Sequence, residues 1–446
     1  MKASHTLDAI RPAFDDERLV ANAGLLLPAT LMQRLGLRTL IDERVDLGNV
    51  PGRANPGLKG VALVAALLAG AKWISDMAVL RAGETSEVLG HWVAASSTMG
   101  TFLRAFTWGH VRQLDAVAGE LLARAWQAGA GPGANPVTID VDSTICETYG
   151  LQKQGGSKFT YTHVRGYHPL LAVVAGFGDV VHARLRGGPA FTARGAAQFI
   201  TETITRVRAA GATALIMLRA DSGFYNHDVV RVCRKLGVRF SITVRLNPSI
   251  HKAISTIADD AWVAIPYWME QGADVAETTY TPFKHRGKAT PVRLIVRRVK
   301  PTPGSQLEFE GFKYTYHAFI TDRDGDMLEL EADHRRHAVV ENAIRDLKDG
   351  VALNHLPSGR FAANAAWLAF NVMAHNITRW VSRIGLEETL VTTPTVRMRH
   401  FSVPGWLAHH ARQVILHLPA RWPWAQEFEA ALERLRLLPS AVPTPA

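Results

Sequence analysis

Cysteine is almost missing from this chain of 446 residues, which has only Cys146 and Cys233. Two thiols make neither a disulfide framework nor a cysteine zinc site, and they imply a reducing, cytoplasmic setting. No apolar run reaches membrane-spanning length. The best candidate, "GVALVAALLAGAKWISDMAVL" (60–80), carries Lys72 and Asp76 and reads as a buried helix. The opening "MKASHTLDAIRPAFDDERL" lacks the apolar stretch of a secretory signal. The 18 histidines show no H-E-x-x-H spacing, and no G-x-S-x-G surrounds Ser222. Zincin and nucleophile-elbow hydrolases are thereby excluded. Internal repeats and long low-complexity tracts are absent as well. Acid is in deficit, with 40 Asp and Glu against 50 Lys and Arg, a net charge of +10. That surplus favours a polyanionic partner, and without a membrane segment the candidate is nucleic acid.

What is present changes character at "GAGPGANP" (129–136), the clearest linker. Before it, residues 1–128 read as helical; "HVRQLDAVAGELLARAW" sets Val111, Leu114, Ala118, Leu121 and Leu122 on one face. After it, "PVTIDVDSTI", "HPLLAVVAGF" and "DVVHARLRGG" read as three strands, the last two joined as a hairpin at Gly178 and Asp179. A helix over about 193–210, the strand "ALIMLRAD", a helix over 226–236 and the strand "VRFSITVRL" follow. Hairpin strands followed by α/β alternation predict a mixed sheet flanked by helices over 137–257. Residues 258–323 read as a β-rich insertion, 324–390 as the helical completion of the core, and 391–446 as a tail of short helices.

Three places carry candidate chemistry. Asp140 and Asp142 lie two apart in "VTIDVDST", a strand where charge is costly to bury. Asp221 ends the apolar strand in "RADSGFYN", a favoured position for functional groups in α/β sheets. In "HRRHAVVENAIRDLKDG" (334–350), Val340, Ile344, Leu347 and Val351 form an apolar stripe. His334, His337, Glu341, Arg345 and Lys348 project together beside it. Carboxylates on strand, strand and helix are what a hard divalent ion requires: Mg²⁺ takes carboxylate oxygens and shares phosphate oxygens with its substrate. Two such ions stabilise the attacking and leaving oxygens of an in-line displacement at phosphorus.

With these motifs in order, the sequence resembles the DDE transposases of bacterial insertion sequences. It looks most like the branch whose ribonuclease-H-like core is interrupted by a β-strand insertion domain between the second Asp and the Glu. "DVDST", "RGYHPLLAVV", "RADSGFYN", the Glu341 segment and "LNHLPSGRFAANAAWLAFNVMAHNITRW" carry it, over roughly 137–380. The resemblance implies Asp142, Asp221 and Glu341 as catalytic metal ligands for two Mg²⁺ ions, with Mn²⁺ able to substitute. Asp140 would then lie one layer deeper, orienting a ligand. Lys348 falls on a family Lys, whereas His334 and His337 stand where the family has Tyr and Arg. Phosphate holding is therefore expected from Arg335, Arg336 and Arg345 as well as Lys348. The implied reaction is hydrolysis at the element's inverted-repeat ends, then attack of the freed 3′ hydroxyl on target DNA. A homodimer in the DNA complex and a nucleoid-associated location are implied with it.

The segment from Thr278 to Lys300 contains seven Lys or Arg and no acid. Arg293, Arg297, Arg298 and Lys300 are expected on phosphates, and Trp268, with Trp262 and Tyr267, on an unpaired base. Two rivals remain. "DVDST" also fits a haloacid-dehalogenase-type phosphatase with Asp140 as nucleophile and "TDRDGDM" as its distal acidic motif. The other rival is a transposase-derived DNA-binding protein that no longer cleaves.

Overall fold

The computed structural model describes residues 6–50, 52–150, 153–160, 162–266, 272–284, 290–301, 313–410 and 413–441. After a short strand, β1 (Leu19–Val20), come α1 (Leu26–Leu35), α2 (Leu37–Arg44), α3 (Pro56–Ala69), α4 (Thr85–Leu89), α5 (Ser96–Ala105) and α6 (Trp108–Ala125). The 60–80 stretch is not one helix. Gly70, at φ 100°, ends α3 in the left-handed region, and the turn Ile74–Arg81 departs at 93°. Among the described residues no single helix is long and apolar enough to cross a membrane.

The core sheet begins with β2 (Val137–Ser143). A small sheet of β3 (Cys146–Glu147), β4 (Lys158–Phe159) and β5 (Arg165–Tyr167) follows, then β6 (Leu170–Val174) and β7 (Val180–Arg184). Helix α7 (Ala196–Ala209) leads to β8 (Ile216–Ala220), and α8 (His227–Lys235) leads to β9 (Arg239–Thr243). Strands β7, β6 and β2 are antiparallel, while β2, β8 and β9 are parallel. Three hairpin strands and two helix-linked parallel ones are the expected mixed α/β, ribonuclease-H-like core.

Helix α9 (Pro248–Ile254) follows β9, and the insertion contains β10 (Val263–Ile265), β11 (Ala273–Tyr280), β12 (Val292–Val299) and β13 (Thr315–Thr321). It continues the core sheet: β13 pairs with β9 through Phe319–Thr243, Ile320–Ile242 and Thr321–Ser241. The sheet runs β10-β11-β12-β13-β9-β8-β2-β6-β7. Tyr267 and Trp268 lie outside the described residues.

Helix α10 (Met327–Arg335), a 3₁₀ turn, α11 (Val340–Arg345) and a wide turn to Gly350 form the Glu341 segment. Its apolar stripe is buried, with Val340, Ile344, Leu347 and Val351 at 8% exposure or less. Then comes α12 (Phe361–Trp380), buried on almost every side. Phe370 meets Phe102 and Phe106 of the N-terminal helices, and one hydrophobic cluster spans Leu25 to Leu435. The tail departs from its expected all-helical form. Besides α13 (Thr393–Val396) and α14 (Ala425–Leu437) it holds a hairpin, β14 (Gly405–His410) and β15 (Gln413–His417), that pairs with β1. Trp406 belongs to a strand whose register with β1 joins residues nearly 400 apart in sequence, which no local periodicity reveals.

Candidate catalytic site and nucleic-acid interface

Parallel register builds the site. The last paired residues of β2 and β8 are Val141 and Ala220, so Asp142 and Asp221 stand side by side one residue beyond. Asp142 Oδ1 accepts from the Ser143 amide at 2.6 Å, and Asp221 Oδ1 from the Gly223 amide at 3.0 Å. Neither Oδ2 has a hydrogen bond among the described residues. Burial pushes the Asp142 carboxyl above its usual range; Asp221 and Glu341 push it the same way, against the Ser143 amide and His337. Glu341 is exposed in the first turn of α11.

Among the described residues no three His, Cys, Asp or Glu side chains stand arranged to hold a metal ion. In donor chemistry the three carboxylates fit a hard divalent cation. Each Asp fixes one oxygen on the backbone and leaves the other unclaimed, and their mutual repulsion is what a cation between them relieves.

Asp140 lies behind this site and is 1% exposed. Arg219 grips it with two bonds, Nε to Oδ1 at 2.8 Å and Nη2 to Oδ2 at 2.9 Å. His337 Nδ1 donates to the same Oδ1 at 2.9 Å. Arg219 also reaches the Asp333 carbonyl at 2.6 Å and its carboxylate at 3.0 Å. Asp140 and Arg219 thus hold both ends of the bend between α10 and α11, the bend that sets where Glu341 stands. A nucleophilic carboxylate must be reachable, and this one is enclosed and doubly bonded, against the phosphatase reading. The "TDRDGDM" motif does something else. Its Asp326 caps α10, accepting from the Leu328 amide at 2.8 Å and the Glu329 amide at 3.2 Å.

The histidines on the Glu341 segment separate. His334 turns to the sheet, bonded to Ser241 at 2.7 Å and Thr243 at 2.9 Å and stacked on Phe319 at 4.0 Å. Burial pushes it down to about 3, so it is a neutral packing group and not part of a shared face with Glu341. Arg335 pairs with buried Glu331 at 2.8 Å. Arg336 is exposed, 4.0 Å from Asp333, and Arg345 is exposed too. Lys348 is half-buried, close enough to Cys146 to act on its thiol.

The basic insertion strand needs correction. Its cations face carboxylates on neighbouring elements: Arg293 meets Glu277 at 2.7 Å, Arg298 meets Asp274 at 2.8 Å, and Arg297 meets Glu331 at 3.5 Å. Arg298 also lies over Trp262 at 4.2 Å and Tyr314 at 4.5 Å, which occupies Trp262 as a packing residue. Of the four residues expected on phosphates only Lys300 is exposed, the other three being half-buried.

Other residues at the site had no role assigned from sequence. His168 Nδ1 donates to the Ala190 carbonyl at 2.8 Å, so its Nε2 accepts from the Ser143 hydroxyl at 2.9 Å; burial favours this neutral form. Thr192 touches Ser143 at 3.4 Å between their hydroxyls. It also explains Gly223, where an added Cβ would meet Thr192 at 2.9 Å. The sequence reading reached this loop only at Gly187 and Gly188, taken as the end of the strand "DVVHARLRGG".

Residues 3–440 match a family model described as transposase DDE domain, group 1. The chain belongs to this family. It is therefore a DDE transposase, from a family of DNA-cleaving and DNA-joining enzymes that use divalent metal ions, and DNA is its partner. The phosphatase reading is set aside. No curated protein matches the chain significantly. Among solved structures it is similar to piggyBac transposase in a cryo-EM synaptic complex with hairpin DNA. The identity there is 9%, over 96% of this chain and 88% of that one, with a TM-score of 0.43.

Proposed function

We propose that this transposase cuts the inverted-repeat ends of its own insertion sequence and joins the 3′ ends to target DNA, with Asp142, Asp221 and Glu341 as the catalytic metal ligands. The observation that carries this is the pairing of Asp142 with Asp221 at adjacent parallel strand ends, within electrostatic reach of Glu341. Two Mg²⁺ ions, or Mn²⁺ in their place, would supply Lewis-acid stabilisation of the attacking and leaving oxygens. The protein's own share is positional. Backbone amides fix one oxygen of each Asp, and Arg219 with Asp140 and His337 sets the Glu341 helix against the sheet. Arg336, Arg345, Lys348 and Lys300 remain for phosphates. Two ends must be cut together, so the DNA complex is a homodimer acting on cytoplasmic, nucleoid-associated DNA.

The test is to incubate the protein with its flanking element ends and map the nicks. Mg²⁺ or Mn²⁺ should give strand breaks at the element boundary, and EDTA should abolish them. Sequence-specific binding with no breaks in either metal would favour the non-cleaving DNA-binding protein.

A further inference from the structure

Among the described residues the pairing of β2 with β8 ends at Val141 and Ala220, so the sheet does not fix the last step between Asp142 and Asp221. Thr192 fills that step. Its hydroxyl lies 3.4 Å from Ser143 Oγ, and a Cβ added to Gly223 would come within 2.9 Å of both its Cβ and its methyl carbon. Ser143 and Gly223 are the residues whose amides hold Asp142 Oδ1 and Asp221 Oδ1. Because Ser143 gives its hydroxyl proton to His168, its oxygen accepts from Thr192. The side chain is therefore wedged between the two turns that carry the aspartates.

The loop bearing Thr192, between β7 and α7, is stiff. Arg186 Nη1 donates to the carbonyls of Phe191 at 3.0 Å, Thr192 at 3.2 Å and Arg194 at 3.0 Å, and its Nε to the His168 carbonyl at 3.0 Å. No carboxylate pairs with this guanidinium among the described residues, and burial with Arg194 pushes it down to about 10. Holding a cation on neutral acceptors is costly, and what it secures is the place of Thr192. His168 fixes the Ala190 carbonyl at 2.8 Å, and the Gly188 amide bonds the Gly156 carbonyl at 2.9 Å.

We infer that Thr192 is a positioning residue, a spacer that sets how far apart Asp142 and Asp221 stand and thereby which divalent ion they hold best. A cation draws two carboxylates together, and a close-packed wedge between their turns limits that approach. Mg²⁺ demands near-ideal geometry at short oxygen distances, whereas Ca²⁺ accepts a larger and looser shell. A fixed spacing therefore favours Mg²⁺, and a loosened one costs Mg²⁺ more than Ca²⁺. This role rests on the proposed assignment of the two aspartates as metal ligands.

The test measures ion binding to the full-length protein without DNA, from the electron-spin-resonance signal of free Mn²⁺, with Mg²⁺ and Ca²⁺ as competitors. The parent is compared with Thr192→Val, which keeps the shape of the wedge, Thr192→Ala, which removes it, and Asp142→Asn. Thr192→Ala should raise the Mg²⁺ competition constant about 10-fold, as changes behind a metal ligand do, and that of Ca²⁺ by a clearly smaller factor. Thr192→Val should match the parent with both ions. Equal losses of Mg²⁺ and Ca²⁺ in Thr192→Ala, or a Thr192→Val as weak as Thr192→Ala, would overturn the inference. Lost binding in Asp142→Asn beside an unchanged Thr192→Ala would overturn the spacer alone. A parent that takes up no Mn²⁺, or whose uptake survives Asp142→Asn, would overturn the assignment of the aspartates and the spacer with it.

Discussion

Two aspartates two residues apart on β2 take different work because their surroundings differ. Asp142 keeps an unclaimed oxygen at the strand end, whereas Asp140 is enclosed by Arg219 and His337. Asp142→Asn should remove end cleavage almost entirely with the fold intact, since an amide is a poor substitute for a charged ligand. Asp140→Asn should slow it by about 10–100-fold, as changes behind a metal ligand do. A dead Asp140→Asn beside a merely slow Asp142→Asn would reverse the assignment. His334 makes a stability prediction. Burial lowers it from 6.5 to about 3, so between those values the unfolded chain binds the extra proton. Its contribution is therefore whole above pH 6.5 and falls as the pH drops toward 3. Denaturant titrations at pH 7 and 5 should show His334→Gln losing less stability on acidification than the parent, by up to ~1.4 kcal/mol per pH unit. Identical losses would mean that His334 takes up its proton in the fold as readily as in the unfolded chain.

At the scale of elements, the insertion's charges are the lesson. A run of seven cations without acid reads as a phosphate track, but a strand's neighbours in space are not its neighbours in sequence. Glu277 and Asp274 face Arg293 and Arg298 across an antiparallel register, and Glu331 comes from α10. Neutralising Arg293 and Arg298 should therefore leave the salt dependence of DNA affinity nearly unchanged. Neutralising Lys300 and Arg336 should flatten it by about 0.9 log unit for each phosphate no longer neutralised. Affinity measured across a salt series decides, and the reverse pattern would return the insertion strand to the DNA.

For the molecule as a whole, what was legible followed local rules. Alternation in "VTIDVDS", the strand-end place of Asp221 and the stripe from Val340 to Val351 all read directly from sequence. Pairings between distant segments did not. The bond of β13 to β9, the β1–β14–β15 sheet, the packing of α12 against the N-terminal helices and the grip of Arg219 on Asp140 each depend on register or side-chain reach across remote segments. The central claim is that Asp142, Asp221 and Glu341 act together as metal ligands in cutting DNA. It is tested most directly by Glu341→Gln, which keeps the side chain's size and removes its charge. End cleavage in Mg²⁺ should fall beyond the about 10–100-fold that a change behind the ligands costs, while end-DNA affinity in EDTA stays at the parent's value. Cleavage within about 10-fold of the parent would contradict the account.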